Sequence, residues 1–116
     1  MPHGRGEGRH ELLHGALEPL ILRTLADADD HGYGISRRIE TATDGAVRVE
    51  DGSLYPALYR LEKRGLVRGE WGLSEARKRA RFYQLTEKGR KHLAKQTAQW
   101  AAFAGGVSRL LLRDNA

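Results

Sequence analysis

The sequence has no cysteine, which removes disulfides and thiolate metal sites and leaves the redox compartment open. It has no apolar run near the roughly 20 residues that cross a bilayer, so no membrane partner is expected. The stretch Met1 to Arg9 lacks the apolar region of a secretory signal, and a cytoplasmic location follows by default. No glycine-rich phosphate cradle of the Walker type is present. Ser53 has no His and Asp arranged to activate it, and a helix-capping role accounts for it. His10 and His14 are four apart, on one helical face, but two imidazoles make an incomplete zinc site and no third ligand is evident. An enzyme, a metal site and a cofactor are therefore not expected.

What is present fits one small globular domain: 116 residues, 40% hydrophobic and 30% charged. A net charge of +5 and a pI of about 9.9 bias the chain towards polyanionic partners, since each phosphate neutralised releases condensed counterions. Residues 1–9 read as a flexible arm. Leu13, Leu17, Leu20, Ile21 and Leu25 recur at helical spacing and predict an amphipathic helix from His10 to about Ala28. Pro19 either kinks it or marks a junction of two helical pieces near Glu18. Asp27, Asp29, Asp30 and Gly32 supply loop chemistry. A second helix fits Gly34 to about Thr43, with Ile35 and Ile39 inward and Asp44-Gly45 as its stop. Val47 and Val49 alternate with Arg48 and Glu50, which suits a short extended segment.

A third helix is predicted with Ser53 as its cap, Pro56 at the third helical position and Leu54, Leu58 and Leu61 on one face. Gly65 stops it. Leu66 to Trp71 and Arg81 to Leu85 then form two strands around the charged tip Ser74 to Ala80. A long helix runs from Glu87 to Leu112. Three small helices cannot bury a large core alone, and a two-stranded hairpin packed on them supplies the missing surface. The fold class expected is mainly α: a winged helix-turn-helix over residues 10–86, with a two-stranded β-wing, followed by a dimerisation helix over 87–116.

In such a unit one helix enters the DNA major groove while the preceding helix braces it. Opposite its leucines the third helix presents Ser53, Tyr55, Tyr59, Arg60 and Lys63, hydroxyls and cations suited to phosphates and base edges. Arg77, Lys78, Arg79 and Arg81 put four cations within five residues at the hairpin. The two features together point to double-stranded DNA. The alternatives are an ordinary solvated face, a winged-helix protein-interaction module without specific DNA binding, and RNA binding, for which aromatic stacking platforms are lacking.

Four segments carry a resemblance to the PadR family of winged-helix transcriptional regulators. They are Leu17 to Leu22 (LEPLIL), His31 to Ile35 (HGYGI), Gly52 to Val67 (GSLYPALYRLEKRGLV) and Arg81 to Gly89 (RFYQLTEKG). The single long last helix is similar to that of the short subfamily. The resemblance implies a homodimer reading an inverted-repeat operator, usually as a repressor. It implies a recognition helix from Ser53 to Lys63, Pro56 included. It also implies a bracing helix opened by Tyr33 and Gly34, and wing contacts from Lys78, Arg79 and Arg81. One departure stands out: Ala76-Arg77-Lys78-Arg79-Ala80 keeps the wing's charge but lacks its glycine.

Along the last helix Leu93, Trp100 and Val107 repeat every seven residues, with Phe103 and Leu110 in a parallel row and Leu111 adjoining. So much apolar surface suits pairing with an identical helix, although Gly105-Gly106 weakens the helix by roughly 1 kcal/mol per glycine. Trp100 reads as an aromatic anchor of that seam. Resemblance to multidrug-binding members implies a second role, in which Trp100, beside Phe103, stacks a planar hydrophobic effector between the subunits. Trp71, near the hairpin, reads as packing.

Overall fold

A computed structural model describes residues 15–114 of the chain. The expected arm over 1–9, the first turns of the helix expected from His10, and the His10/His14 pair lie outside the described residues. Helix α1 spans Leu17–Asp27 and buries Leu17, Ile21, Leu22 and Leu25. Pro19 is the third residue of this helix, where its missing N–H would have had no intrahelical acceptor, so it accompanies a helix start and forces no kink within α1.

Strand β1, Asp30–His31, and helix α2, Gly32–Ala42, follow. The helix begins two residues before the expected Gly34, because His31 caps it: the Gly34 N–H donates to His31 Nδ1 at 3.1 Å. Asp44 and Gly45 end the segment with φ of 55° and 82°, the left-handed backbone the Asp-Gly pair predicts. Val47 and Val49 form no strand. They are half-buried against the core instead, with the Val47 N–H bonded to Thr43 Oγ1.

Helix α3 spans Asp51–Lys63, starting three residues, nearly a full turn, earlier than the sequence suggests. Its cap position is Glu50, whose carbonyl accepts from both Ser53 and Leu54. Ser53 is therefore inside the first turn and is not the cap, and Pro56 sits in the helix interior. The proline is tolerated because the carbonyl it leaves unbonded belongs to exposed Gly52, which water reaches. At the other end Leu66 N–H bonds the Leu61 carbonyl and Gly65 N–H bonds that of Glu62, with Gly65 at φ 76°. This is the glycine stop the sequence signals.

Strands β2, Val67–Leu73, and β3, Arg79–Leu85, form the wing. The sheet has three strands in the order β1-β3-β2, all antiparallel, with Asp30 opposite Tyr83 and His31 opposite Phe82. The segment read as loop thus adds a short edge strand that ties the start of α2 to the wing. Helix α4, Glu87–Leu111, starts on a Thr86 cap that accepts from the Gly89 N–H at 3.0 Å. The same Thr86 hydroxyl donates to the Gly65 carbonyl at 2.7 Å. The helix continues unbroken through Gly105 and Gly106.

One core joins these elements. Ile21 and Leu22 of α1, Ile35 of α2, and Leu54, Leu58 and Leu61 of α3 are fully buried, and Leu66, Val67, Tyr83 and Leu93 close it. Each buried aliphatic side chain stabilises the fold by about 1.5–3 kcal/mol. The hydrophobic spacing of the three helices therefore fixes which face of α3 turns outward.

Candidate nucleic-acid interface

Because α3 buries Leu54, Ala57, Leu58 and Leu61, its opposite side carries Tyr55, Pro56, Tyr59, Arg60 and Lys63 into solvent, with Ser53 half-buried at the near end. Tyr59 is 64% exposed, and the Lys63 ammonium lies 5.7 Å from its ring centroid. Tyr55 is placed differently. Its ring lies against Gly32 at the start of α2, where a Cβ would come within 2.6 Å of the phenol oxygen. A side chain at this position would push the Tyr55 ring away from the start of α2. Burial and then the nearby Asp51 carboxylate raise the Tyr55 pKa above its ordinary 10.0, so at neutral pH the phenol keeps its proton and can donate a hydrogen bond.

Tyr33 stands beside this surface on the first turn of α2, 63% exposed. Arg37 Nη1 donates to its hydroxyl at 2.8 Å, and the guanidinium sits 5.7 Å from the ring centroid. Arg37 belongs to the same exposed cluster and was missed by the sequence reading. Its spacing of four from Tyr33 was the available signal. Arg38, its neighbour, turns inward and bonds the Thr24 and Ala28 carbonyls and Asp30, holding α1, β1 and α2 together.

The wing's four cations separate into two groups. Arg77 and Lys78 lie in the turn, whereas Arg79 and Arg81 are on β3 itself. The turn closes without a glycine because Arg77 adopts φ 62°, with Arg77 N–H bonded to the Ser74 carbonyl and Ser74 N–H to that of Lys78. Arg81 does not project from the tip. It pairs with Glu62 of α3, a hydrogen bond that raises its pKa further, and it lies 5.6 Å from the Trp71 ring centroid. The reason is register: Trp71 is directly opposite Arg81, and Gly69, two residues back, leaves space that the guanidinium fills. Among the described residues no acidic group pairs with Arg60, Lys63, Lys78 or Arg79. Unpaired cations on α3 and the wing, flanked by exposed tyrosines, form a surface chemically suited to a phosphate backbone.

Residues 21–95 match the Transcriptional regulator PadR-like family. The chain belongs to that family. Solved PadR-like structures agree in shape. A PadR-like transcriptional regulator from Bacillus cereus is 28% identical, with a TM-score of 0.76 over 90% of this chain and 99% of that one. A PadR family regulator from Eggerthella lenta is 32% identical, with a TM-score of 0.71 over 90% and 88%. Among curated relatives, the Escherichia coli transcriptional regulator YqjI is 39% identical over 67 residues, 56% of this chain and 32% of that protein. PadR-like proteins are transcriptional regulators, not enzymes, and this PadR-like chain is a DNA-binding transcriptional regulator with a winged-helix fold. None of its described helices is long and apolar enough to cross a membrane.

The PadR match stops at residue 95, and the distal part of α4 lies beyond it. There Trp100, Phe103, Val107, Leu110 and Leu111 are exposed, Trp100 at 48% and Leu110 at 62%. The Trp100 and Phe103 rings touch at an angle of 44° with centroids 6.0 Å apart. Leu93, expected with them in a dimer seam, is only 9% exposed and packs into the chain's own core. The proximal part of α4 faces its own domain, and the row open to a partner begins at Trp100.

Proposed function

We propose that this PadR-like regulator acts in the cytoplasm as a homodimer that represses transcription from an inverted-repeat operator. Tyr33, Ser53, Tyr55, Pro56, Tyr59, Arg60 and Lys63 make the helix contacts, and Lys78 and Arg79 make the wing contacts. Arg81 braces the wing against α3 through Glu62. The observation that carries the reading is the pairing of two uncovered surfaces on one chain: the cationic, tyrosine-bearing side of α3 and the apolar side of distal α4. The first suits a groove, and the second suits an identical helix.

The Trp100–Phe103 ring pair supports a further element of the same reading. A planar hydrophobic effector stacks there between the subunits, alters the spacing of the two α3 helices and releases the operator. The test combines light scattering with operator titration. Phe103→Glu with Leu110→Glu is expected to give a monomer whose operator affinity falls at least a hundredfold, since each half-site then binds alone. Trp100→Ala is expected to keep DNA binding and to abolish quenching of protein fluorescence by a planar aromatic dye. A double variant that remains dimeric and binds normally refutes the dimer seam; persistent quenching in Trp100→Ala refutes the pocket.

A further inference from the structure

Trp71 is one of two tryptophans in the chain, and it is not a packing residue: 56% of it is exposed. Strand pairing places it on a definite face. Val67, Gly69, Trp71 and Leu73 of β2 stand opposite Leu85, Tyr83, Arg81 and Arg79 of β3, and directly opposed residues share one side of a sheet. Along that side the environment grades from core to solvent. Val67 and Tyr83 are buried, Arg81 bonds Glu62 of α3, and beyond it Trp71 and Leu73 emerge beside Arg79. The Arg79 guanidinium lies 4.5 Å from the Trp71 ring centroid, close enough for a cation–π contact. Arg81 reaches the same ring at 5.6 Å, but its charge is already engaged by Glu62.

We propose that Trp71 is a positioning residue for DNA binding, an aromatic plate that holds the unpaired Arg79 guanidinium in place on the α3 side of the wing. The inference rests on the wing's role as a DNA contact given above. The physical advantage is preorganisation. A free arginine loses much rotational freedom when it is fixed against a phosphate or a groove edge. An arginine already resting on an indole loses less, and it keeps its N–H groups available at the rim of the ring. The Glu62–Arg81 bond matters for the same reason, since it ties the plate to α3 and sets where Arg79 stands relative to the helix.

A duplex enriched from a random-sequence pool by the wild-type protein, labelled for anisotropy titration, serves as the probe. Trp71→Ala is expected to weaken binding about two- to fivefold per wing, the range of an exposed cation–π contact. Trp71→Phe, which keeps a π face, is expected to recover more than half of that loss. In an Arg79→Ala background Trp71→Ala is expected to have no further effect. If Trp71→Ala misfolds by circular dichroism, Trp71→Leu keeps an apolar side chain without a π face and is expected to bind as weakly per wing. Wild-type affinity in these variants, or the same loss with and without Arg79, overturns the positioning role and leaves DNA binding by the protein intact. Failure of the wild-type protein to enrich any duplex overturns both.

Discussion

Replacing Arg81 by Met separates two roles that a basic residue on a wing can have. Its guanidinium bonds the Glu62 carboxylate across from β3 to α3, and the two side chains are 31% and 32% exposed. A fully buried charge-assisted hydrogen bond contributes roughly 1.5–3 kcal/mol, whereas exposed ion pairs contribute about 0–1. With a third of each side chain in water, this bond falls between those two limits. In a domain of this size its loss lowers the melting temperature by a few degrees. Glu62→Gln should cost a similar amount, and the double variant little more than either alone, because both remove the same contact. The DNA assay then discriminates. A residue that neutralises a phosphate contributes about 0.9 to the slope of log affinity against log salt, so Lys78→Ala should flatten the slope by about that amount per wing. Arg81→Met should leave the slope nearly unchanged. Calorimetry in parallel with a salt series on an operator duplex reads both quantities. An unchanged melting temperature together with a slope reduced as in Lys78→Ala would refute the bracing role and return Arg81 to the contact surface.

Two more predictions concern the fold. In Gly89→Ala the added Cβ would collide with the Leu66 backbone carbonyl and with Leu85; displacement of α4 from that seat should cost about 1–3 kcal/mol despite alanine's better helix propensity. A urea midpoint at or above wild type would show that the close approach is not strict. Burial raises the Tyr83 pKa above its ordinary 10.0, which means that the folded state favours the neutral phenol. That contribution is therefore complete below about pH 10 and is lost as pH climbs through the raised value. Tyr83→Phe should flatten the fall in urea midpoint between about pH 9 and about pH 12, and an equally steep fall in the variant would argue against Tyr83 as its source.

Much of this molecule is legible in its sequence, wherever the signal is local. The leucine spacing of α3, its Gly65 stop, the two long strands and the extended α4 all follow from periodicity and from single residues with strong backbone preferences. What escapes depends on residues far apart in the chain. Strand β1 is two polar residues long and exists only because β3, some fifty positions later, offers them a ladder. The start of α3 is misplaced because Ser53 and Pro56 both look like first-turn residues, while Glu50 supplies the carbonyl that begins the helix. Arg81 looks like a tip cation until Glu62 is seen across from it. Leu93 fits a heptad with Trp100, yet the core of its own domain claims it first. Trp71 reads as packing because aromatic residues near strands usually pack, and only the strand register reveals the two arginines at its ring.

The seat of α4 has a mechanical consequence. Thr86 bonds the carbonyls of Gly65 and Leu66, and Lys88 Nζ bonds that of Arg64 at 2.8 Å, so the base of α4 is riveted to the segment that ends α3. From there 25 residues extend about 37 Å as a single stiff rod. Turning such a rod by about 10° at its base sweeps its far end through about 6 Å. Conversely, if two such helices pair as proposed, a modest wedge driven between them would be geared into a rotation of the whole domain, with no hinge inside it having to bend.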